Sequence, residues 1–340
     1  MKRMSEILKA LSRHIAVSGR EIVLDPIRQR LTALGCRVVR TADGSVIAVR
    51  KCGKENAKKI LLDAHMDEVG LIVTGIDDNG LLRFGDHAGV DEKILPAARV
   101  TVLGKEPLLG IVAAKPPHLL TKEEREKPAK MKDMRIDIGL SADKAREMVK
   151  VGDLIALYGP ARELLGDRMT GKSLDDRACV TILISLLELL ENRPLAVDLY
   201  VVMSAGEEFG GYGAVTAALD VKPDAAIALD VSHAETPDSE KLVTGRLGKG
   251  VMIGFSPVLD ADFTERILEI AVSNKIPYQL EAMGGKTYTN ADNIVPGGVP
   301  TALLSVPLRY MHTPQEVISL TDMVTARSLL LAVLEEEGER

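Results

Sequence analysis

Tryptophan is absent from the 340 residues, and four phenylalanines with six tyrosines leave the aromatic share at 3%. Proteins that stack bases or sugar rings rely on such platforms, so nucleic-acid and glycan recognition both lose a usual means of attachment. Cysteine is scarce as well. Cys36, Cys52 and Cys179 are odd in number, widely spaced and without a CxxC pair, which excludes a disulfide scaffold and a thiolate-rich structural zinc. No apolar run approaches the roughly 20 residues of a membrane helix, and the N-terminus MKRMSEILKALSRHIAVSGRE is charged throughout instead of carrying a signal-peptide core. The expected location is cytoplasmic, with no membrane partner. A net charge of −6 offers no long basic face to phosphates, so nucleic acid is not an expected partner either.

What is present is a globular balance of 46% hydrophobic and 27% charged residues, in a length that suits one large domain or two modest ones. Residues 4–34 have helical spacing of apolar positions, interrupted at Ser18 and Gly19. The period then changes: CRVVRT, SVIAVRK and KKILLDAHMD read as strands. From Gly70 to Leu164 short apolar runs alternate with Gly, Pro and charged turns, and only SADKAREMVK is helical. The mixed-sign piece TKEEREKPAKMKDMR inside this stretch reads as a solvated loop. After Gly166 strands and helices alternate: SLDDRACVTILISLLELLE, DFTERILEIAVSN and GGYGAVTAAL are helical, while VDLYVVMSA, DAAIALDV and PTALLSVPL are strands. That rhythm predicts an α/β fold, a mostly parallel doubly wound sheet, with a small β-barrel-like domain inserted. The boundaries expected are a discontinuous catalytic domain of residues 1–70 and 165–340, and an insertion of 71–164.

Polar clusters fall just past predicted strands or at the head of a helix: His65 and Asp67, Asp175 and Asp176, Glu207 and Glu208, Asp230, and His312. Strand ends of an open α/β sheet face one crevice, so these distant residues can converge. Two histidines with three or four carboxylates form a mixed nitrogen and oxygen set that suits zinc, cobalt or manganese, and a shared carboxylate lets two ions sit together. Ordinary alternatives stand beside this reading. Asp175 and Asp176 could cap a helix, and an adjacent glutamate pair is by default solvated. A lone histidine is more often structural, although Asp67, two residues on, could hold one nitrogen of His65. Asp230 follows an apolar strand, where a charge is costly unless paired or bound to metal. His14, His87, His118 and His233 lack such a context, with His87 beside Asp86 the residual candidate.

Taken together, AHMDEVG at 64–70, GKSLDDR at 171–177, GEEFGGYGA at 206–214, ALDV at 228–231 and RYMHTPQE at 309–316 resemble the motifs of the dinuclear metallo-aminopeptidases of the tetrahedral (TET) type, metallopeptidase family forty-two. The similarity covers nearly the whole chain, including VSGRE, KPPHL and GVPTALLSVPLRYMH. It implies a zinc-peptidase-like fold and removal of N-terminal residues from short peptides with two divalent metal ions per subunit, zinc or cobalt, with manganese possible. His65 and Asp230 would bind one ion, Glu208 and His312 the other, and Asp175 would bridge them. Asp67 would orient His65, and Glu207 would be the general base for the attacking water. The insertion would be a dimerisation domain, from which homo-oligomers as large as dodecamers are built. One departure stands out: in GGKTYTNADNIVPGGVP, Tyr288 falls where the family's aspartate is expected, with Asn290 or Asp292 as substitutes.

Three other functions compete. A deacylase of N-acyl amino acids would use the same two-metal chemistry. A glycan hydrolase would need a carboxylate pair across a sugar site, commonly with the aromatic platforms this chain lacks. A non-catalytic assembly protein would have no need of the full set of ligands and base.

Overall fold

The computed structural model of the chain describes residues 1–20, 25–237, 239 and 245–339. Glu21, the last residue of VSGRE, lies outside them, as does the start of the second predicted helix. The chain opens with α1 (Lys2–Ser12) and α2 (Asp25–Ala33), then β1 (Arg37–Arg40), β2 (Val46–Arg50) and β3 (Lys59–His65). Six strands follow: β4 (Gly70–Ile76), β5 (Leu82–His87), β6 (Arg99–Leu103), β7 (Pro107–Ala113), β8 (Arg135–Asp137) and β9 (Leu154–Leu157). They close into a barrel in the order β4-β5-β8-β7-β6-β9. Leu71, Val73, Leu82, Val100, Ile136 and Ile155 help to fill it, as expected of a barrel too narrow for a channel. The connections hold α3 (Lys122–Arg125) and α4 (Ala142–Met148). The lysine-rich piece read as a loop thus carries one short helix, α3.

Beyond the barrel come β10 (Arg162–Glu163), β11 (Arg168–Gly171), α5 (Leu174–Leu190), β12 (Asp198–Ser204), α6 (Tyr212–Val221), β13 (Ala225–His233) and β14 (Val251–Phe255). The last elements are α7 (Ala261–Ser273), β15 (Tyr278–Ala282), α8 (Ala291–Ile294), β16 (Thr301–Arg309), β17 (Glu316–Ser319) and α9 (Leu320–Glu339). No helix among the described residues is long and apolar enough to cross a membrane.

The main sheet runs β1-β2-β12-β3-β13-β16-β17-β11-β10, with β14 beside β16 and β15 beside β14. Its centre, β12-β3-β13-β16, is parallel, and most of the flanking pairs are antiparallel. The central strands are buried on both faces, which is why they read as nearly continuous apolar runs. In β12, Leu199, Val201 and Met203 join the core under α1, α5, α7 and α9. Tyr200 and Val202, between them, join the core that includes α6. The sequence rhythm does not flag β14 and β15; β15 is half-exposed and lacks a clear alternation.

The turn after β12 is set by glycine. Gly206 has φ +70°, and a Cβ there would sit 2.0 Å from the Tyr212 ring. At Gly213, in the first turn of α6, a Cβ would lie 2.5 Å from the Ala205 carbonyl oxygen and from Ser45 Oγ. The close approach of α6 to β12 holds Glu207 and Glu208 at the strand exit. Gly213→Ala should therefore cost about 1–3 kcal/mol, read as a lower urea midpoint at unchanged slope. An unchanged midpoint would show that the turn relaxes freely.

Candidate metal centre

The carboxyl ends of the four parallel central strands bring the predicted residues to one place. His65 is the last residue of β3, Asp230 lies in β13, Glu207 and Glu208 form a turn after β12, and His312 follows β16 by three residues. Asp175 enters from the start of α5. There Asp175 and Asp176 have non-helical backbone angles, so the regular helix begins only after them.

Two groups of side chains have donor atoms within 4.8 Å of one another: His65, Asp175 and Asp230, and Asp175, Glu208 and His312. Asp175 belongs to both. Its Oδ1 lies 3.0 Å from His65 Nε2, and its Oδ2 lies 3.5 Å from His312 Nε2. Asp230 Oδ1 is 3.9 Å from His65 Nε2, and Glu208 Oε2 is 3.4 Å from His312 Nε2. The first set is buried and the second half-buried, and such mixed imidazole and carboxylate sets fit divalent ions that accept nitrogen and oxygen ligands.

A second layer fixes these groups. The ring of His65 turns Nδ1 toward Asp67, 3.2 Å from its backbone carbonyl and 3.5 Å from Oδ1. The Asp67 carboxylate also accepts the backbone N–H groups of Glu207 and Glu208, each at 3.1 Å, and so ties the glutamate turn to the end of β3. His312, at φ +61°, places Nδ1 3.3 Å from the Gly89 carbonyl, which comes from the barrel. That contact leaves Nε2 facing the site.

Glu316 is a residue to which the sequence reading gave no role. Buried at the start of β17, it accepts N–H bonds from Leu174 at 2.6 Å, Asp175 at 3.2 Å and His312 at 3.0 Å. One carboxylate thereby holds the backbones of two of the clustered residues. The available signal was a glutamate heading an apolar run, where burial makes a charge costly.

The remaining candidates lie elsewhere. His87 Nε2 contacts the Ser18 carbonyl at 2.8 Å, and its ring stacks on Phe209, while Asp86 accepts N–H bonds within its own turn. Tyr288 is 87% exposed at the rim of the cavity. Asp292 folds back to accept from Thr287 and Tyr288, whereas Asn290 is buried and donates to Asp63 at 2.7 Å and Ser204 at 2.8 Å. The cavity has a volume of about 570 Å³, and Glu207 borders it without belonging to either group of three.

Charge explains the protonation behaviour of the metal-free chain. Burial, reinforced by neighbouring carboxylates, pushes Glu208 and Asp230 well above the usual range and Glu207 up to about 7. Burial opposes a charge on His65, but hydrogen bonds to Asp175 and Asp67 outweigh it and hold its pKa well above 6.5. Between pH 4.5 and about 7 the native chain keeps a proton on Glu207 that the unfolded chain has lost. Stability must then fall as pH rises through that window, by roughly 3 kcal/mol for the full shift. His65 adds the same sign above 6.5. Melting of chelator-treated protein should show Tm dropping across this window, and a bound divalent ion should flatten the drop because it stabilises the ionised carboxylates. A Tm that rises over the same window without metal would contradict the crowding of acids.

Comparison with known proteins agrees along the whole chain. Residues 44–329 match the family described as M42 glutamyl aminopeptidase. The lysyl aminopeptidase of Pyrococcus furiosus is 31% identical over 344 residues, covering 97% of this chain and 96% of that protein. The crystal structure of a TET aminopeptidase from a marine sediment Thaumarchaeota archaeon has a TM-score of 0.91 at 30% identity, covering 99% of this chain and 98% of that one. A Pyrococcus horikoshii TET1 peptidase, which can assemble into a tetrahedron or a large octahedral shell, has a TM-score of 0.86 at 31% identity over 98% of this chain and 99% of its own. Family match, near-complete coverage and shared fold converge on one statement: this chain belongs to the M42 glutamyl aminopeptidase family and is a metal-dependent aminopeptidase.

Proposed function

We propose that the enzyme works with two divalent ions, zinc or cobalt, with manganese a third choice, on the N-termini of short peptides. His65 and Asp230 would hold one ion and Glu208 and His312 the other, with Asp175 shared. The observation that carries this reading is that Asp175 is the one side chain belonging to both groups. Bound ions would supply Lewis-acid polarisation of the scissile carbonyl and lower the pKa of a water there.

The chain's own residues do the rest. Asp67 keeps the His65 ring in orientation and anchors the Glu207–Glu208 turn. Glu207, outside both groups and bordering the cavity, takes a proton from the attacking water and returns it to the leaving amine. The free α-amino group of the substrate would also be received by one of the ions, which restricts cleavage to the N-terminal residue. Residues 71–164 would form a separate dimerisation unit inserted between the two catalytic segments, with assembly up to a dodecamer of the kind TET relatives build. Three unpaired cysteines agree with work in the cytoplasm.

Glu207→Gln should keep its metal and lose kcat by about a thousandfold or more, whereas Asp175→Ala should lose metal as well. Metal analysis beside turnover of free and N-acetylated leucyl substrates checks both. Equal metal loading in the two variants would refute the shared-ligand assignment. Cleavage of the acetylated compounds would favour the deacylase.

A further inference from the structure

Two acidic side chains of the cavity, Glu207 and Glu281, lie outside both groups of three, and the second has no ion-pair partner among the described residues. Glu281, in β15, reaches across to the β13–β16 pair, where the hydroxyls of Ser232 and Ser305 each donate to one of its carboxylate oxygens, Ser305 at 2.7 Å. Ser305 is the register partner of Asp230, and Ser232 follows Asp230 by two residues on the same face of β13. The seryl pair therefore holds the carboxylate between the level of Asp230 and a point two residues, about 7 Å, farther along the strand.

A carboxylate has about four acceptor positions, and the two hydroxyls occupy two of them. No ion pair to Glu281 is present among the described residues, where its hydrogen-bond partners are the two hydroxyls. Apart from His65 and His312, the basic residues of the cavity wall, His233 and Lys286, are exposed. Met283, Leu303 and Met311 line the same cavity and offer apolar surface to an alkyl stem. An anchored carboxylate with spare acceptor sites, beside apolar wall and in the same cavity as the metal centre, is complementary to an ammonium or guanidinium on a long stem.

The geometry points to Glu281 as the residue that selects a basic side chain, lysyl or arginyl, at the substrate's N-terminal position. This inference rests on the aminopeptidase reading of the adjacent metal centre. A glutamyl side chain in the same place meets like charge, so the activity in the family's name is not the one this pocket favours.

The test is kcat/KM of the metal-loaded enzyme for lysyl, norleucyl and glutamyl p-nitroanilides, norleucine being a neutral lysine of similar stem. The wild type should favour lysyl over norleucyl by about tenfold or more, with glutamyl last. Glu281→Gln should lower the lysyl-to-norleucyl ratio by about tenfold, and Glu281→Lys should bring glutamyl above lysyl, a reversal that a damaged fold cannot produce. A wild-type ratio of one or less, or a ratio that survives both substitutions, overturns the role of Glu281 while norleucyl turnover leaves the aminopeptidase reading standing. Cleavage of N-acetylated compounds with none of the free ones overturns that reading, and Glu281 with it.

Discussion

Asp175 is the side chain on which the rest of the site depends. Its two oxygens face two imidazoles from opposite ends of the chain, His65 at 3.0 Å and His312 at 3.5 Å. To hold one carboxylate between them the fold must fix three backbones at once. Glu316 does so for the Asp175 and His312 segments by accepting N–H bonds from both, and Asp67 does so for the glutamate turn beside His65. Neither needs to touch substrate to matter, because a misplaced ligand costs affinity and rate alike.

The same concentration of acids makes the metal-free site uncomfortable. Glu207, Glu208 and Asp230 are all pushed upward by burial, with neighbouring carboxylates adding to it. A protein tolerates such crowding where a cation resolves it. The acids are therefore best understood as half of a structure whose other half is the bound charge, and the observed family membership supplies the chemistry for which that charge is used.

The barrel is not a bystander to this arrangement. Its strands occupy residues 70–157, and the connection after β5 presents the Gly89 carbonyl to His312. His87, at the end of β5, reaches the Ser18 carbonyl and stacks on Phe209, next to the glutamate turn. The His312 and Phe209 contacts tie the barrel to segments that carry the site, so the barrel steadies the ring of one candidate ligand.

By itself the sequence determined which side chains stand out and on what kind of element each sits. Charged residues at the ends of apolar runs are legible because burying a charge is costly, and periods of 2 and 3.6 distinguish strand from helix. The α/β rhythm after Gly166 and the short-strand stretch before it were legible for the same reason, and the recurrence of family motifs supplied roles that periodicity could not. Only the tertiary structure decided which of these residues meet. His87 beside Asp86 has a local context much like His65 near Asp67, yet it turns to a carbonyl and a phenyl ring. Glu316 reads locally as the edge of a turn, and Glu281 as one polar residue of a half-exposed strand. The contacts that give them meaning span 142 residues from Glu316 to Leu174 and 24 from Glu281 to Ser305. Strand order and register set such contacts, and one local pattern is compatible with many orders.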